Sequence, residues 1–216
     1  MTQPSSHRNR PAAIAARLMK AMKTAGVELN HRSPWELLVA TILSAQCTDQ
    51  RVNQVTPDLF RRYPTPWEMA TADAADIESI IKPTGFYKTK AKHLIECGRA
   101  VVEQFHGRVP QTMEELTSLP GVGRKTANVL LGAVFGRPAV VVDTHVKRVA
   151  TRLGLTRSDD PEYIERDIQQ LFPPRQWTGL SQRLLLHGRY VCMARTPRCG
   201  ACPLYDLCDW KGKKPR

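Results

Sequence analysis

No stretch of 18 apolar residues occurs anywhere in this chain, so no segment reads as a membrane-spanning helix. The alternation of apolar and polar residues that marks a half-buried strand is also missing. The run Ala139 to Val142 is too short and isolated to build a sheet. The N-terminal stretch, MTQPSSHRNRPAAIAARLMKAMK, lacks the apolar core of a secretory signal and reads as a loose tail leading into a helix. Nucleotide loops are absent: there is no G-x-x-x-x-G-K-[ST], and no G-x-G-x-x-G follows a strand pattern. Acidic residues are in deficit, with 20 Asp and Glu against 32 Lys and Arg, a formal net charge of +12. That balance argues for a polyanionic partner. The basic positions are not confined to one amphipathic helix, which favours nucleic acid over a membrane surface. Most of the chain lacks cysteine too. Four of the six cysteines fall in the last 25 residues, which argues against a disulfide framework and for a metal site in a reducing compartment.

What is present is helical periodicity. Ile14, Leu18, Ala21 and Met22 give a first helix an inward face. Ser33-Pro34-Trp35-Glu36 combines a cap, a proline at the first helical position and a glutamate at the third, and Leu37, Leu38, Ile42 and Leu43 follow. Val52, Val55, Leu59 and Phe60 mark the next helix. Thr65-Pro66-Trp67-Glu68 repeats the start pattern. A short helix around Ile77, Ile80 and Ile81 breaks near Pro83 and Gly85, and Phe86-Tyr87 opens a longer one through Phe105. Further patterns cover His145 to Leu153, Tyr163 to Phe172 and Leu180 to Tyr190. The expected class is all-α, with one compact unit over 27–137 and a second made of 1–26 and 138–216.

The stretch from Leu116 to His145 organises the rest. Thr112-Met113-Glu114-Glu115 reads as a capping box for a short helix that Pro120 ends, and a second helix begins near Arg124 with Ala127, Val129, Leu130, Val134 and Phe135 as its apolar positions. Between them, Gly121 and Gly123 can adopt positive φ and bring backbone close to a ligand. Amides of such a turn and of a helix start can point at one phosphate, and Arg124 and Lys125 add positive charge. The bland alternative is an ordinary glycine-rich linker. Lys125 lies in the first helical turn, where the macrodipole disfavours a cation; near positive charge or in an apolar pocket such a lysine loses its proton more readily and can act as a nucleophile. Its other reading is a solvated phosphate contact. Asp143 is placed to cap the next helix, and the same placement suits a catalytic carboxylate.

Cys192, Cys199, Cys202 and Cys208 form C-x6-C-x2-C-x5-C. Four thiolates this close can hold zinc or a [4Fe-4S] cluster, and the spacing decides between neither. Arg189, Arg195, Arg198 and Lys211 surround them in sequence. Cys47 and Cys97 stand alone in helical patterns, as small buried cysteines commonly do.

Together, LLVATILSAQCTDQRVN, TGFYKTKA, LPGVGRKTANVLL, VDTHVKRV and LLLHGRYVCMARTPRCGACPLYDLC resemble the endonuclease III family of DNA glycosylases and AP lyases, from about residue 27 onward. The resemblance implies a helix-hairpin-helix fold of two helical domains with DNA bound in the cleft between them. It implies a [4Fe-4S] cluster on the four cysteines, which breaks the tie with zinc. It also implies a nucleophilic lysine at Lys125 and a partner carboxylate at Asp143. Gln46 corresponds to the residue that fills the space left by a flipped base, and Thr84 and Phe86 to a second wedge. Members often carry bulky aliphatic residues at those last two positions, so the smaller Thr84 and the aromatic Phe86 depart from the pattern. Gly121, Gly123, Arg124 and His145 complete the expected DNA contacts, Asp49 is expected to cap a nearby helix, and His187 is expected to be structural.

The implied activity is removal of oxidised pyrimidines from duplex DNA with β-elimination at the abasic site, by a monomer in the cytoplasm or nucleoid. Two alternatives remain. An adenine-mismatch glycosylase typically lacks the lysine and carries a further C-terminal domain, so Lys125 and the end of the chain at 216 weigh against it. A noncatalytic iron–sulfur DNA-binding protein would need only the turn, the charge and the cysteines.

Overall fold

The computed structural model describes residues 9–215, and the expected loose tail over 1–8 lies outside the described residues. Among the described residues there is no strand. The chain divides into two compact units, one over Val27–Arg137 and one built from the segments up to Gly26 and from Pro138 onward.

The central unit contains seven helices: α2 (Pro34–Leu43), α3 (Asp49–Arg62), α4 (Pro66–Ala70), α5 (Ala74–Ile81), α6 (Tyr87–Phe105), α7 (Met113–Ser118) and α8 (Arg124–Ala133). Their starts follow local chemistry. Ser33 Oγ accepts from Glu36 N at 3.1 Å, and Glu36 Oε2 accepts from Arg32 N at 2.6 Å. Thr65 and Glu68 close a reciprocal capping box on α4. Asp73 caps α5 through Ala75 N at 2.9 Å. At α3 the cap is Thr48, whose Oγ1 accepts from Arg51 N at 3.3 Å; Asp49, expected to cap, is instead the first helical residue, where a carboxylate still suits the positive helix end. Leu37, Leu38, Leu43, Leu59, Met69, Ile77, Ile81, Leu94, Leu116 and Leu130 are fully buried and form the core of this unit. Gly98 lets α6 lie against α4, since a Cβ there would sit 3.0 Å from Ala70 N and 3.2 Å from Met69 Cβ.

The other unit contains α1 (Arg10–Ala21), α9 (Thr144–Arg152), α10 (Pro161–Leu171), α11 (Pro174–Tyr190) and two single 3₁₀ turns, Cys199–Ala201 and Tyr205–Leu207. Ile14, Leu18, Val146, Val149, Leu153, Ile164, Ile168, Leu180 and Leu184 are its core. The inward face of α1 is Ile14, Ala15 and Leu18. Ala21, expected inward, is exposed, and Met22 lies past the helix end as its C-cap. Helix α11 begins six residues before the first apolar position used to place it: Pro174 supplies a preset φ at its first position. Val134 and Phe135 fall just after α8 and are half-buried. The run Ala139 to Val142 is buried without forming a strand or helix.

Candidate functional site

The turn between α7 and α8 is pinned by its apolar residues. Leu119 and Val122 are buried, and Val122 N donates to Leu119 O at 3.1 Å. Gly121 has φ +77° and also lies close to His93, whose Cβ would be 3.0 Å from an added methyl group. Gly123 does not use that freedom: at φ −96° and ψ 175° it is extended, a conformation open to any residue. Its lack of a side chain leaves open space beside the helix mouth, with nothing within 4 Å of where a Cβ would be. No side chain caps α8, and no acidic residue occupies its first turn, so neither offsets the positive helix end. Lys125 stands in that first turn and is exposed, not enclosed in an apolar pocket.

Asp143 is the cap of α9: its Oδ1 accepts from Val146 N at 2.8 Å, and its own carbonyl accepts from Lys147 N at 2.8 Å. The carboxylate is half-buried. His145, two residues on, is tied to Arg148, whose guanidinium lies 3.1 Å from Nδ1. The arginine can only donate, so Nδ1 accepts and the ring proton sits on Nε2. Arg148 also donates to Gly188 O at 2.7 Å and Cys192 O at 3.0 Å, which fixes α9 against the end of α11. Gly188 permits this approach, since a Cβ there would be 2.9 Å from His145 Cβ.

Gln46 and Phe86 share an unusual backbone. Both are non-glycine residues in the left-handed region, at φ 52° and 48°. Both are exposed, Phe86 by 65%. Thr84, grouped with Phe86 as a wedge, is 2% exposed and its hydroxyl donates to Ile81 O at 2.8 Å. Its side chain therefore offers no surface to a duplex in this conformation, and a small polar residue is what fits the position. Between the two turns lies Lys90, 4% exposed, whose Nζ donates to Leu43 O at 2.8 Å and Thr84 O at 2.9 Å. Burial lowers its pKa, with the nearby Cys47 thiol acting in the opposite direction.

The four C-terminal cysteines are free, half-buried and line one cavity with Val149, Arg152 and His187. Among the described residues no three His, Cys, Asp or Glu side chains are arranged as a single-ion site. Zinc would need four sulfurs within about 2.3 Å of one point. A cluster with its own inorganic sulfides has wider corners, so four thiols spread around one cavity fit a [4Fe-4S] group better than one ion. Arg152 donates to Cys192 Sγ at 3.3 Å, Met193 O at 2.9 Å and Ala194 O at 3.0 Å, and stacks 3.8 Å from the Trp210 ring centre. His187, 1% exposed, places Nε2 3.6 Å from Cys202 Sγ; burial pushes its pKa down to about 4, keeping the ring neutral. Burial pushes the Cys97 thiol up to about 12, which leaves it an inert core residue.

The family of HhH-GPD superfamily base excision DNA repair proteins matches residues 39–174, and the iron-sulfur binding domain of endonuclease III matches residues 192–208. Endonuclease III of Synechocystis sp. is 52% identical over 205 residues, covering 94% of each chain. The chain belongs to the endonuclease III family. Endonuclease III of Escherichia coli K12 is 42% identical over 200 residues, covering 93% of this chain and 95% of the relative. A solved structure of a trapped endonuclease III–DNA covalent intermediate superposes with a TM-score of 0.90 at 40% identity, over 97% of each chain. A thermostable thymine-DNA glycosylase, at 22% identity and TM-score 0.83 over 96% of this chain and 98% of that one, shares the fold. As in that family, this member carries a [4Fe-4S] cluster, and the matched iron-sulfur segment, residues 192–208, contains the cysteines that line one cavity.

Two groups were not legible in advance. Lys90 gave no mark beyond being one of two lysines in TGFYKTKA. The arginines expected around the cluster were its sequence neighbours, whereas those that hold its loop come from α9 and α1. The i, i+4 spacing of Arg148 and Arg152, which puts both on one face of α9, is the pattern that could have found them.

Proposed function

We propose that Lys125 is the nucleophile and Asp143 its carboxylate partner in a bifunctional DNA glycosylase and AP lyase. The enzyme acts on duplex DNA, removing oxidised pyrimidines in base excision repair. The observation that carries the residue assignment is the display of Lys125: an exposed amine in the first turn of a helix that no side chain caps, directly after a turn suited to a phosphate.

The chemistry follows from the amine. The damaged base is extruded from the duplex so that its C1′ becomes accessible. Lys125 Nζ bonds to C1′ as the glycosidic bond breaks, and the base leaves with a proton. The C1′–O4′ bond then opens, O4′ leaving with the bonding pair and taking up a proton to become a hydroxyl, and C1′ and the nitrogen form a protonated imine. Loss of a C2′ proton expels the 3′ phosphate by β-elimination and cuts the strand. A hydroxyl or carboxylate cannot form an imine, so a lysine is required. Asp143 takes a proton from the Lys125 ammonium, which frees the amine lone pair for attack, and offsets positive charge growing on the sugar. Gln46 and Phe86 occupy the gap left in the helix, Gln46 meeting the unpaired opposite base through its amide and Phe86 by stacking. Gly121, Gly123 and Arg124 meet the phosphodiester chain, while Nε2–H of His145 is a donor for a phosphate oxygen. The [4Fe-4S] cluster, held by Cys192, Cys199, Cys202 and Cys208, supplies a covalent knot for the C-terminal loop and leaves no ligand position for substrate.

Borohydride trapping on duplexes that contain oxidised pyrimidines tests the assignment. Wild type should form a reduced covalent adduct, and Lys125→Gln should form none while binding the same duplex. Equal trapping by the variant would reject Lys125. Asp143→Asn keeps a cap-competent side chain, so it should slow single-turnover cleavage about a hundredfold with unchanged thermal stability. Unchanged cleavage would reject the role given to Asp143.

A further inference from the structure

We propose that Lys90 is a positioning residue that holds the Gln46 turn and the Phe86 turn at one fixed spacing, so that the two side chains enter a duplex as a unit. This rests on the reading above, that Gln46 and Phe86 fill the gap beside an extruded nucleotide.

Helix α2 ends at Leu43, and the 3₁₀ turn Lys82–Thr84 ends at Thr84. The last carbonyls of any helical segment lack intrahelical donors, and a cation placed there also meets the negative end of the backbone dipoles. One ammonium serves both ends: Lys90 Nζ bonds Leu43 O at 2.8 Å and Thr84 O at 2.9 Å. Gln46 follows Leu43 by three residues, and Phe86 follows Thr84 by two. Each sits in the left-handed region, a conformation that a non-glycine side chain keeps only when its surroundings impose it. Lys90 is itself anchored to the second turn, since its backbone N donates to Phe86 O at 3.0 Å. The hydroxyl of Thr84, bonded to Ile81 O, fixes the carbonyl that Lys90 grips. A buried lysine is costly to desolvate, and an aliphatic residue would fill the space more cheaply. What the ammonium adds is a link from its own helix to a carbonyl 47 residues away in sequence.

The test uses full-length, cluster-loaded protein. The probes are a duplex with a tetrahydrofuran abasic-site analogue and an undamaged duplex of the same sequence, and the readout is the ratio of the two affinities at one ionic strength. Gln46→Ala and Phe86→Ala are measured first: if neither lowers the ratio, the gap-filling reading fails and the clamp falls with it. Given that they do, Lys90→Met should lower the ratio about tenfold through the two lost charge-assisted hydrogen bonds, with affinity for undamaged duplex unchanged to within about twofold because phosphate contacts are intact. Lys90→Arg, which retains donors for both carbonyls, should keep the ratio. A residue that merely fills space would show the reverse order, with Met tolerated and Arg harmful. Wild-type selectivity in Lys90→Met, or lost selectivity in a folded Lys90→Arg, would overturn the proposal.

Discussion

Between Val27 and Arg137 the core is closed by aliphatic side chains from helices α2 to α8, with Lys90 the one buried cation among them. The unit formed by the two ends of the chain is closed differently. It has an aliphatic centre as well, but its C-terminal loop is held by arginines reaching backbone carbonyls. Arg10 donates to Leu153 O at 2.6 Å and Leu207 O at 2.7 Å, Arg17 to Pro203 O at 3.0 Å, and Arg148 and Arg152 to the segment Gly188–Ala194. The reason is the loop's backbone. Among the described residues it holds only two single 3₁₀ turns, so most of its carbonyls have no helical partner and need donors from elsewhere. Arginine supplies several from one long side chain. The central unit thus closes on its own aliphatic core, whereas the C-terminal loop of the other relies on guanidinium contacts and on its cofactor.

Cys202→Ser should break this comparison most sharply if it is wrong. All visible absorbance of the cluster should be lost, and amides over 192–215 should exchange rapidly, while those of α2, α6 and α8 stay protected. Loss of protection across both units in hydrogen-exchange measurements would show that they do not differ as described. Leu130→Ala comes next: a fully buried leucine of the central unit should cost about 2–5 kcal/mol in denaturant melts, with iron content unchanged. Arg152→Met should cost less, about 1.5–3 kcal/mol for the lost charged hydrogen bonds, and should show mainly as faster cluster loss to a chelator. Leu130→Ala should leave that rate alone.

The smallest effect concerns pH. The pKa of Lys90 is lowered below 10.5, chiefly by burial. Folded protein therefore binds fewer protons at this site than unfolded protein across the interval from the lowered value up to 10.5, and stability rises with pH through it. The burial penalty is complete below that interval and relieved above it. Wild type should accordingly gain stability relative to Lys90→Met as pH climbs toward 10.5 in paired melts; a constant difference would mean that the ammonium is not desolvated.

Legibility in the sequence followed the range of the interaction. Ser33, Thr65, Thr112 and Asp143 were readable as caps because a cap and its amide are two or three residues apart. The turn at Gly121 was readable for the same reason. Thr48 was missed because the adjacent Asp49 is an equally good residue type, and only geometry chose between them. The wedge pair was half readable: Phe86 is displayed, but burial of Thr84 depends on how its turn packs under α6.

The sequence by itself determined an all-helical chain, the position of the helix mouth beside Lys125, and the four thiols at its end, since each is encoded in residues close enough to interact locally. Tertiary structure alone decided which carbonyls Lys90, Arg10 and Arg152 would grip. One backbone carbonyl is chemically like any other, and only folding brings Leu43 to Lys90 or Leu207 to Arg10, 197 residues away.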